Sequence, residues 1–147
     1  MKIKGYHYTE CGLKNVYIEG LTVINDDGED TIQIPNIQEL HWLIAKDILE
    51  SKSMNGDEIR FLRTEMGYTP EKLSEQLNMA LRTLKSIENG KAKIKEDIDL
   101  KIRQLGFSML IIPKHHLYNT SVKKKTRRIE AVRPTPKSAT YRFQEIA

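Results

Sequence analysis

Two short helical patterns separated by three residues constrain the fold of this chain more than any other feature. The stretches "TPEKLSEQL" and "LRTLKSIEN" are joined by "NMA". Leu73 and Leu77 are four residues apart in the first, and Leu84 and Ile87 are three apart in the second. Residues at these spacings share one side of a helix. The pattern therefore predicts two short helices, each with one apolar side turned to a core.

The residues that flank these helices have the properties of helix ends. Thr69 followed by Pro70 favours a start, because Thr can cap free N–H groups and Pro is tolerated at the first helical position. Asn78 tolerates the positive φ of a tight turn, and Asn89–Gly90 is typical of a left-handed helix end. This arrangement predicts a helix-turn-helix. An ordinary helical bundle would show the same stripes.

The second helix carries donors on the side opposite its apolar stripe. Arg82 can pair bidentately with guanine O6 and N7, and an apolar Leu81 can contact a thymine methyl group. Base readout is therefore predicted for Leu81, Arg82, Thr83 and Lys85. Contacts with phosphates, which do not depend on sequence, are predicted for Thr69, Asn89, Lys91 and Lys93. A solvated surface role is equally compatible with each lysine.

The rest of the chain predicts an α+β protein that is mainly α. "NVYIEGLTVI" and "DTIQIP" flank an Asp-Gly step, which predicts a β-hairpin at about 16–34. Helices are predicted at 36–50, from residue 57, and before a stop at Gly106, whereas "FSMLII" and "TYRFQEI" are predicted strands. The predicted domains are 1–54 (hairpin and helix), 55–106 (five-helix-type bundle) and 107–147 (strand and basic extension).

Charge is distributed unevenly along the chain. Residues 114–147 hold nine Lys or Arg and two Asp or Glu, a balance of +7, whereas residues 1–113 have a balance of −3. Such asymmetry is typical of binding to nucleic acid or to an acidic protein. The polar segment at 114–139 predicts a linker or arm that does not fold alone. A DNA arm would use Lys123, Lys124, Lys125, Arg127 and Arg128; a solvated linker is the alternative.

The stretch "YTPEKLSEQLNMALRTLKSIENGK" resembles the Xre/Cro family of DNA-binding domains. The family pattern has a Leu-x-x-x-Leu first helix, a Gly-Val-Ser-like turn and an Ile-Glu-Asn-Gly-Lys ending, for which this chain has Leu73 and Leu77, 78–80 and 87–91. The resemblance covers about residues 55–105 and implies an all-α bundle that binds operator DNA, usually as a dimer. Pro70 replaces a frequent Gln that can contact DNA, and Ala80 replaces a Ser that caps the second helix.

The stretch "GYHYTECGLKNVYIEG" is similar to the opening of MqsA-type or HigA-type antitoxin regulators. Those that bind zinc there use paired Cys-x-x-Cys motifs, whereas Cys11 is the only cysteine of this chain. We therefore predict no metal and no cofactor. A site made by His7, Cys11 and His41 is the remaining alternative.

Other functional classes have little support in the sequence. Ser74, Ser86 and Glu88 lack a histidine on the same helix and an oxyanion-forming glycine turn, so no catalytic residue and no enzyme activity are predicted. No apolar run approaches the ~20 residues that cross a bilayer, and the first residues lack the apolar stretch of a secretory signal. We expect a cytoplasmic protein without membrane contact.

The sequence thus predicts a transcriptional repressor that binds a double-stranded operator as a homodimer on an inverted repeat. The resemblance favours the antitoxin of a toxin-antitoxin operon that represses its own transcription. The N-terminal hairpin and the 36–50 helix would supply the dimer or partner surface. Two alternatives remain open: a module that neutralises a cognate toxin with little or no DNA binding, and a regulator from a phage or defence system.

Overall fold

The structure, a computed structural model, describes residues 2–3, 5–34, 36–115, 117, 127–131 and 141–143. These residues form a mixed, mainly helical protein, as the α+β prediction requires. The chain divides into two compact units. Residues 1–47 and 119–147 form one, here called the β unit, and residues 48–118 form the other, here called the helical unit.

The β unit contains short strands and most of the first helix. The strands are β1 (Lys2–Ile3), β2 (Tyr6–His7), β3 (Val16–Glu19), β4 (Leu21–Asp26), β5 (Glu29–Ile32), β6 (Arg127–Ala131) and β7 (Tyr141–Phe143). They form two sheets, with the strand orders β1-β4-β5 and β2-β3-β6-β7. The β3–β6 pair is parallel and the other pairs are antiparallel.

The hairpin predicted at about 16–34 is formed by β4 and β5, which the Asp-Gly step joins. Its predicted beginning is wrong, because Val16–Glu19 is strand β3 of the other sheet. Asp27 has φ 51° and Gly28 has φ 82°. Positive φ at both central residues is the type I′ turn, whose twist matches that of the two strands. In β3, buried Val16 and Ile18 alternate with half-buried Tyr17 and Glu19, because successive side chains of a strand point to opposite faces.

Helix α1 (Ile37–Glu50) confirms the helix predicted at 36–50. Leu40, Ile44 and Ile48 are fully buried, as residues on one side of a helix should be. The spacing of Ile37 in the sequence predicts that it extends this stripe, but that prediction is wrong, since 44% of its surface is exposed. The first turn of α1 therefore leaves an apolar side chain in solvent.

The helical unit contains the end of α1 and four further helices. They are α2 (Gly56–Glu65), α3 (Pro70–Gln76), α4 (Leu81–Glu88) and α5 (Glu96–Gly106). Most apolar positions that the spacing predicts for the core are buried: Ile59, Leu62, Met66, Leu73, Leu77, Leu84, Ile87, Ile98 and Ile102. Ile94 and Leu105, predicted on the same side as Ile98 and Ile102, are only half-buried. No helix in the described part of the chain is long and apolar enough to cross a membrane.

The ends of α2, α3 and α4 share one backbone motif. Gly67, Asn78 and Gly90 follow these helices with φ 74°, 52° and 76°. After each, two N–H groups return to carbonyls of the last turn; Gly90 N donates to Ile87 O at 3.0 Å and Lys91 N to Ser86 O at 2.8 Å. This is the Schellman arrangement, which satisfies carbonyls that a helix end would leave without donors. The predicted turn at Asn78 and the left-handed end at Gly90 are confirmed.

The end of the bundle differs in part from the prediction. The α-helix α5 ends at Gly106, as predicted, but Gly106 keeps right-handed dihedrals (φ −62°, ψ −47°), so the chain continues in helical turns. The "FSMLII" segment is not a strand, since Phe107–Ile111 forms a π-helical turn and Ile112–Lys114 a 3₁₀ turn. A short apolar run fits a buried helix as well as a strand, and Pro113 is accommodated in the first turn of the 3₁₀ segment.

The prediction of a linker across 114–139 is also wrong in part, because Arg127–Ala131 is strand β6. This strand pairs with β3 on one side and with β7 on the other. A partner strand supplies the hydrogen bonds that a polar segment cannot make alone. The strand predicted in "TYRFQEI" is confirmed at Tyr141–Phe143; Lys123, Lys124 and Lys125 lie outside the described residues.

Arg103 of α5 fixes the end of α1. Its Nη1 donates to Leu49 O at 2.8 Å and to Ser51 O at 2.6 Å, and its Nε is paired with Asp99. Carbonyls at a helix C-terminus lack partners within the helix, and a cation is favoured there. The last turn of α1 is therefore held on α5 by charge-assisted hydrogen bonds.

We expect Gly56→Ala to destabilise the helical unit by about 2 kcal/mol or more, because a new methyl group overpacks it. A Cβ at Gly56 would lie 2.4 Å from Ile87 O and 2.5 Å from Glu88 O, and backbone carbonyls cannot rotate away. Urea unfolding measures this cost. Gly67→Ala is the control; it meets no atom within 4 Å, and only its left-handed φ should cost about 1 kcal/mol. Equal costs would contradict close packing at Gly56.

Candidate functional site

Helix α4 has one fixed side and one open side. Leu84, Ile87 and Glu88 are buried, and α4 packs against α3 and α2. On the other side, Arg82, Thr83 and Lys85 are exposed and Leu81 is half-buried. The four residues predicted to read bases therefore lie on one short helix, at or near its surface.

The exposed cations of α4 have no partner among the described residues. Within the described residues, neither Arg82 nor Lys85 has a hydrogen bond or an ion pair. Lys91 and Lys93, in the segment after α4, are likewise exposed. An unpaired, exposed guanidinium or ammonium group keeps its charge and its donors available for an anionic ligand. This end of the helical unit can therefore attract an anion such as a phosphate.

A buried carboxylate anchors the other side of α4. Glu88 is 6% exposed, and Arg63 of α2 binds it with two parallel hydrogen bonds, Nε to Oε2 at 2.8 Å and Nη2 to Oε1 at 3.1 Å. A bidentate Arg–carboxylate pair fixes the orientation as well as the distance of its partners. Arg63 Nη1 also donates to Tyr68 O at 3.0 Å, so the pair ties α4 to α2 and to the segment before α3.

Arg60 extends this contact to the end of α4. Its Nη2 donates to Glu88 O at 2.9 Å and to Asn89 Oδ1 at 3.2 Å, and its Nε lies 3.5 Å from Glu88 Oε1. Asn89 was predicted to contact phosphate, and here its side-chain oxygen accepts from Arg60. The amide Nδ2 has no hydrogen bond within the described residues and can still donate to a ligand.

The remaining predicted residues lie at two places. Thr69 is exposed and caps α3, where its Oγ1 accepts from Lys72 N at 3.1 Å. Arg127 and Arg128 of the predicted DNA arm belong to β6, and they pair in register with Val16 and Tyr17 of β3. These two arginines are therefore part of a sheet in the β unit and not of a linker.

The alternative metal site has no support in its geometry. Tyr8 takes part in hydrogen bonds with His41 (Tyr8 Oη to Nε2, 2.9 Å) and with Cys11, whose Sγ donates to Tyr8 O at 3.6 Å. His7 Nε2 lies 2.7 Å from Lys14 O. No group of three or more His, Cys, Asp or Glu in the described ranges could hold a metal ion.

Nearby, Tyr6 Oη donates to the Glu10 carboxylate. This hydrogen bond, with smaller contributions from burial and from the negative charge of Glu10, raises the pKa of Tyr6 above its usual 10.0. The hydroxyl therefore stays protonated, and the bond is kept, to a higher pH than for a free tyrosine.

The contacts of Glu88 were not among the sequence predictions, although the sequence contains a signal for them. Glu88 follows Ile87 and lies four residues after Leu84, so it falls on the buried side of α4. A carboxylate at such a position is rarely buried without a cation, and "RFLR" in α2 supplies Arg60 and Arg63. The spacing alone thus indicates a cationic partner for Glu88 in α2, but it does not distinguish Arg60 from Arg63.

We expect Glu88→Gln and Arg63→Met each to destabilise the protein by about 3 kcal/mol. The first change leaves Arg63 without a carboxylate, and the second leaves Glu88 with only the partly exposed Arg60, 3.5 Å away. The double variant should lose clearly less than the sum of the two. Urea unfolding of the four proteins measures the coupling. The control is Asp57→Asn; Asp57 lies 3.6 Å from Arg60 in a partly exposed pair, worth less than about 1 kcal/mol. Additive single costs would contradict the anchor.

Ala80→Ser should stabilise the protein by about 1 kcal/mol, because Ser at an N-cap accepts a hydrogen bond from the first turn. Ala80 is the N-cap of α4, with φ −68° and ψ 139°, and it provides no side-chain hydrogen bond. The unfolding midpoint in urea gives the change. Ala92→Ser, at an exposed position that caps no helix, should change stability by less than about 0.5 kcal/mol. A similar effect of both changes would contradict capping.

Comparisons of this chain with protein-family models, with curated proteins and with solved structures found no match. The role of the α4 surface must therefore be inferred from the exposure, charge and contacts of its own residues.

Proposed function

We propose that the protein is a sequence-specific DNA-binding transcriptional repressor that reads its operator with α4. The observation that carries the proposal is the contrast between the two sides of this helix. The buried side is fixed by Leu84, Ile87 and the Glu88 contacts, while Arg82 and Lys85 stay exposed and unpaired within the described residues. Base readout needs such a rigid helix with free donors, because discrimination depends on precise hydrogen-bond geometry.

The arrangement around the turn supports a helix-turn-helix of the Xre/Cro type. Asn78 adopts the left-handed conformation between α3 and α4, and Gly90 adopts it after α4. In this proposal Arg82 reads guanine, Leu81, Thr83 and Lys85 contact neighbouring bases, and Lys91 and Lys93 bind phosphates. Thr69 and the Asn89 amide add phosphate contacts at the two ends of the motif.

The short length of α4 favours a homodimer on an inverted repeat. Eight residues span about 12 Å of helix axis, which is enough for only a few base pairs. Two copies related by a two-fold axis would read half-sites about 34 Å apart. We extend the proposal to an autoregulating antitoxin, whose β unit would supply the surface for the second copy or for a cognate toxin.

The proposal predicts that Arg82→Ala weakens operator binding at least tenfold and relaxes the preference at one base per half-site, because a bidentate Arg–guanine pair contributes about 1–3 kcal/mol of discrimination. Fluorescence anisotropy with the duplex upstream of the gene, beside a scrambled duplex and at two salt concentrations, measures both effects. The wild-type protein should bind the native duplex at least about 1000-fold more tightly than the scrambled one.

Two further variants distinguish base-specific recognition by Arg82 from non-specific attraction of its charge to DNA. Arg82→Lys keeps the charge and loses the planar pair, so it should retain most phosphate-driven binding while losing the base preference. Lys101→Ala removes an exposed cation of α5 and should leave the preference unchanged. Equal, strongly salt-dependent binding of the wild-type protein to both duplexes would overturn sequence-specific repression.

A further inference from the structure

Among the described residues, strand β5 (Glu29–Ile32) is an edge of the three-stranded sheet. In the order β1-β4-β5, β5 pairs with β4, and no other described strand lies on its second side. All four of its residues are exposed. An edge strand of this kind presents N–H and C=O groups to which another chain can add a strand.

The turn determines which backbone groups of β5 face outward. In a two-residue hairpin, the residues next to the turn, Asp26 and Glu29, exchange hydrogen bonds, and the pairs then alternate along the strands. The register pairs Thr31 with Ile24 and Ile32 with Val23. The N–H and C=O groups of Glu29 and Thr31 therefore point to β4, and those of Asp30 and Ile32 point to the open side.

The same edge leaves an apolar side chain uncovered on the face that carries the core. The register pairs Ile32 with the position two residues after the fully buried Leu21, so the side chains of Ile32 and Leu21 lie on one face of the sheet. Although it is on this face, Ile32 is 40% exposed. An added strand with an apolar residue beside Ile32 would remove that surface from water.

The negative charge of the hairpin indicates what kind of strand would bind at β5. The ten residues from Asn25 to Ile34 include four acidic residues and no basic one, and Asp27, Glu29 and Asp30 are exposed. A second β5 would bring like charges together, which disfavours a β5–β5 pair between two copies. A strand with Lys or Arg beside Asp30 and Glu29 would be attracted instead.

We propose that β5 is the docking edge for an extended, basic strand of a partner protein, which extends the sheet through Asp30 and Ile32. The partner strand places Lys or Arg opposite Asp30 and Glu29, and an apolar residue opposite Ile32. Main-chain hydrogen bonds supply the affinity, and the alternating side chains supply the specificity. This inference goes beyond DNA binding and does not depend on it.

A capped synthetic peptide with two adjacent lysines, followed by Thr and Val, tests the proposal by NMR on the full-length ¹⁵N-labelled protein. On binding, the Asp30 and Ile32 amides should shift and exchange with solvent at least tenfold more slowly. The Glu29 and Thr31 amides should already be protected in the free protein. The control peptide has the same sequence and charge but carries N-methyl groups on alternate amides; because it cannot pair as a strand, it should bind at least tenfold more weakly.

Two variants locate the site on the protein. Ile32→Pro removes an N–H that faces outward and keeps the ladder to β4, so it should weaken peptide binding at least tenfold while operator binding stays unchanged. Asp30→Lys leaves the backbone hydrogen-bonding groups intact and reverses the charge of one side chain. It should weaken peptide binding to a similar extent. The proposal is overturned by equal binding of the N-methylated peptide, by unchanged Asp30 and Ile32 amides at millimolar peptide, or by self-association in sedimentation that Ile32→Pro abolishes.

Discussion

The pair between Arg63 and Glu88 is the interaction on which the helical unit depends. It joins α2 to α4 through two hydrogen bonds between side chains that are only 14% and 6% exposed. A buried carboxylate without this partner would be strongly unfavourable. Arrangements that separate the two charges are therefore disfavoured, and the pair selects one orientation of α4. Arg60 and the close approach of Gly56 add to this selection at the same end of the helix.

A helix as short as α3 or α4 has little stability of its own, because most helical stability comes from packing and satisfied ends. The protein satisfies both requirements. Its apolar stripes are buried, and left-handed residues after α2, α3 and α4 return N–H groups to the last carbonyls. Ala80 is the exception, since it leaves the start of α4 without a side-chain cap. Helix α4 is thus fixed by its buried side and its C-terminal end more than by its N-terminal end.

The acidic hairpin and the open side of α4 carry opposite charges. The hairpin of the β unit is acidic, whereas the open side of α4 and the segment after it are basic. A basic surface attracts anionic ligands and repels cationic ones, and an acidic surface does the reverse. In the function proposed here, nucleic acid binds the helical unit and a basic protein strand binds the β unit. One chain could then bind two partners without competition for the same residues.

The sequence by itself determined the local features: the apolar stripes of the helices, the Thr69 cap, the Asp27–Gly28 turn, and the left-handed positions at Asn78 and Gly90. These depend on residues within one turn or one hairpin, so propensity and spacing suffice. Only the tertiary structure decided that 107–111 is helical, that Arg127–Ala131 enters a sheet beside Val16–Glu19, and that Arg63 binds Glu88. The physical reason is that these outcomes depend on partners distant in sequence. Such partners decide which structure an ambiguous segment adopts, and whether a buried charge has a counter-ion.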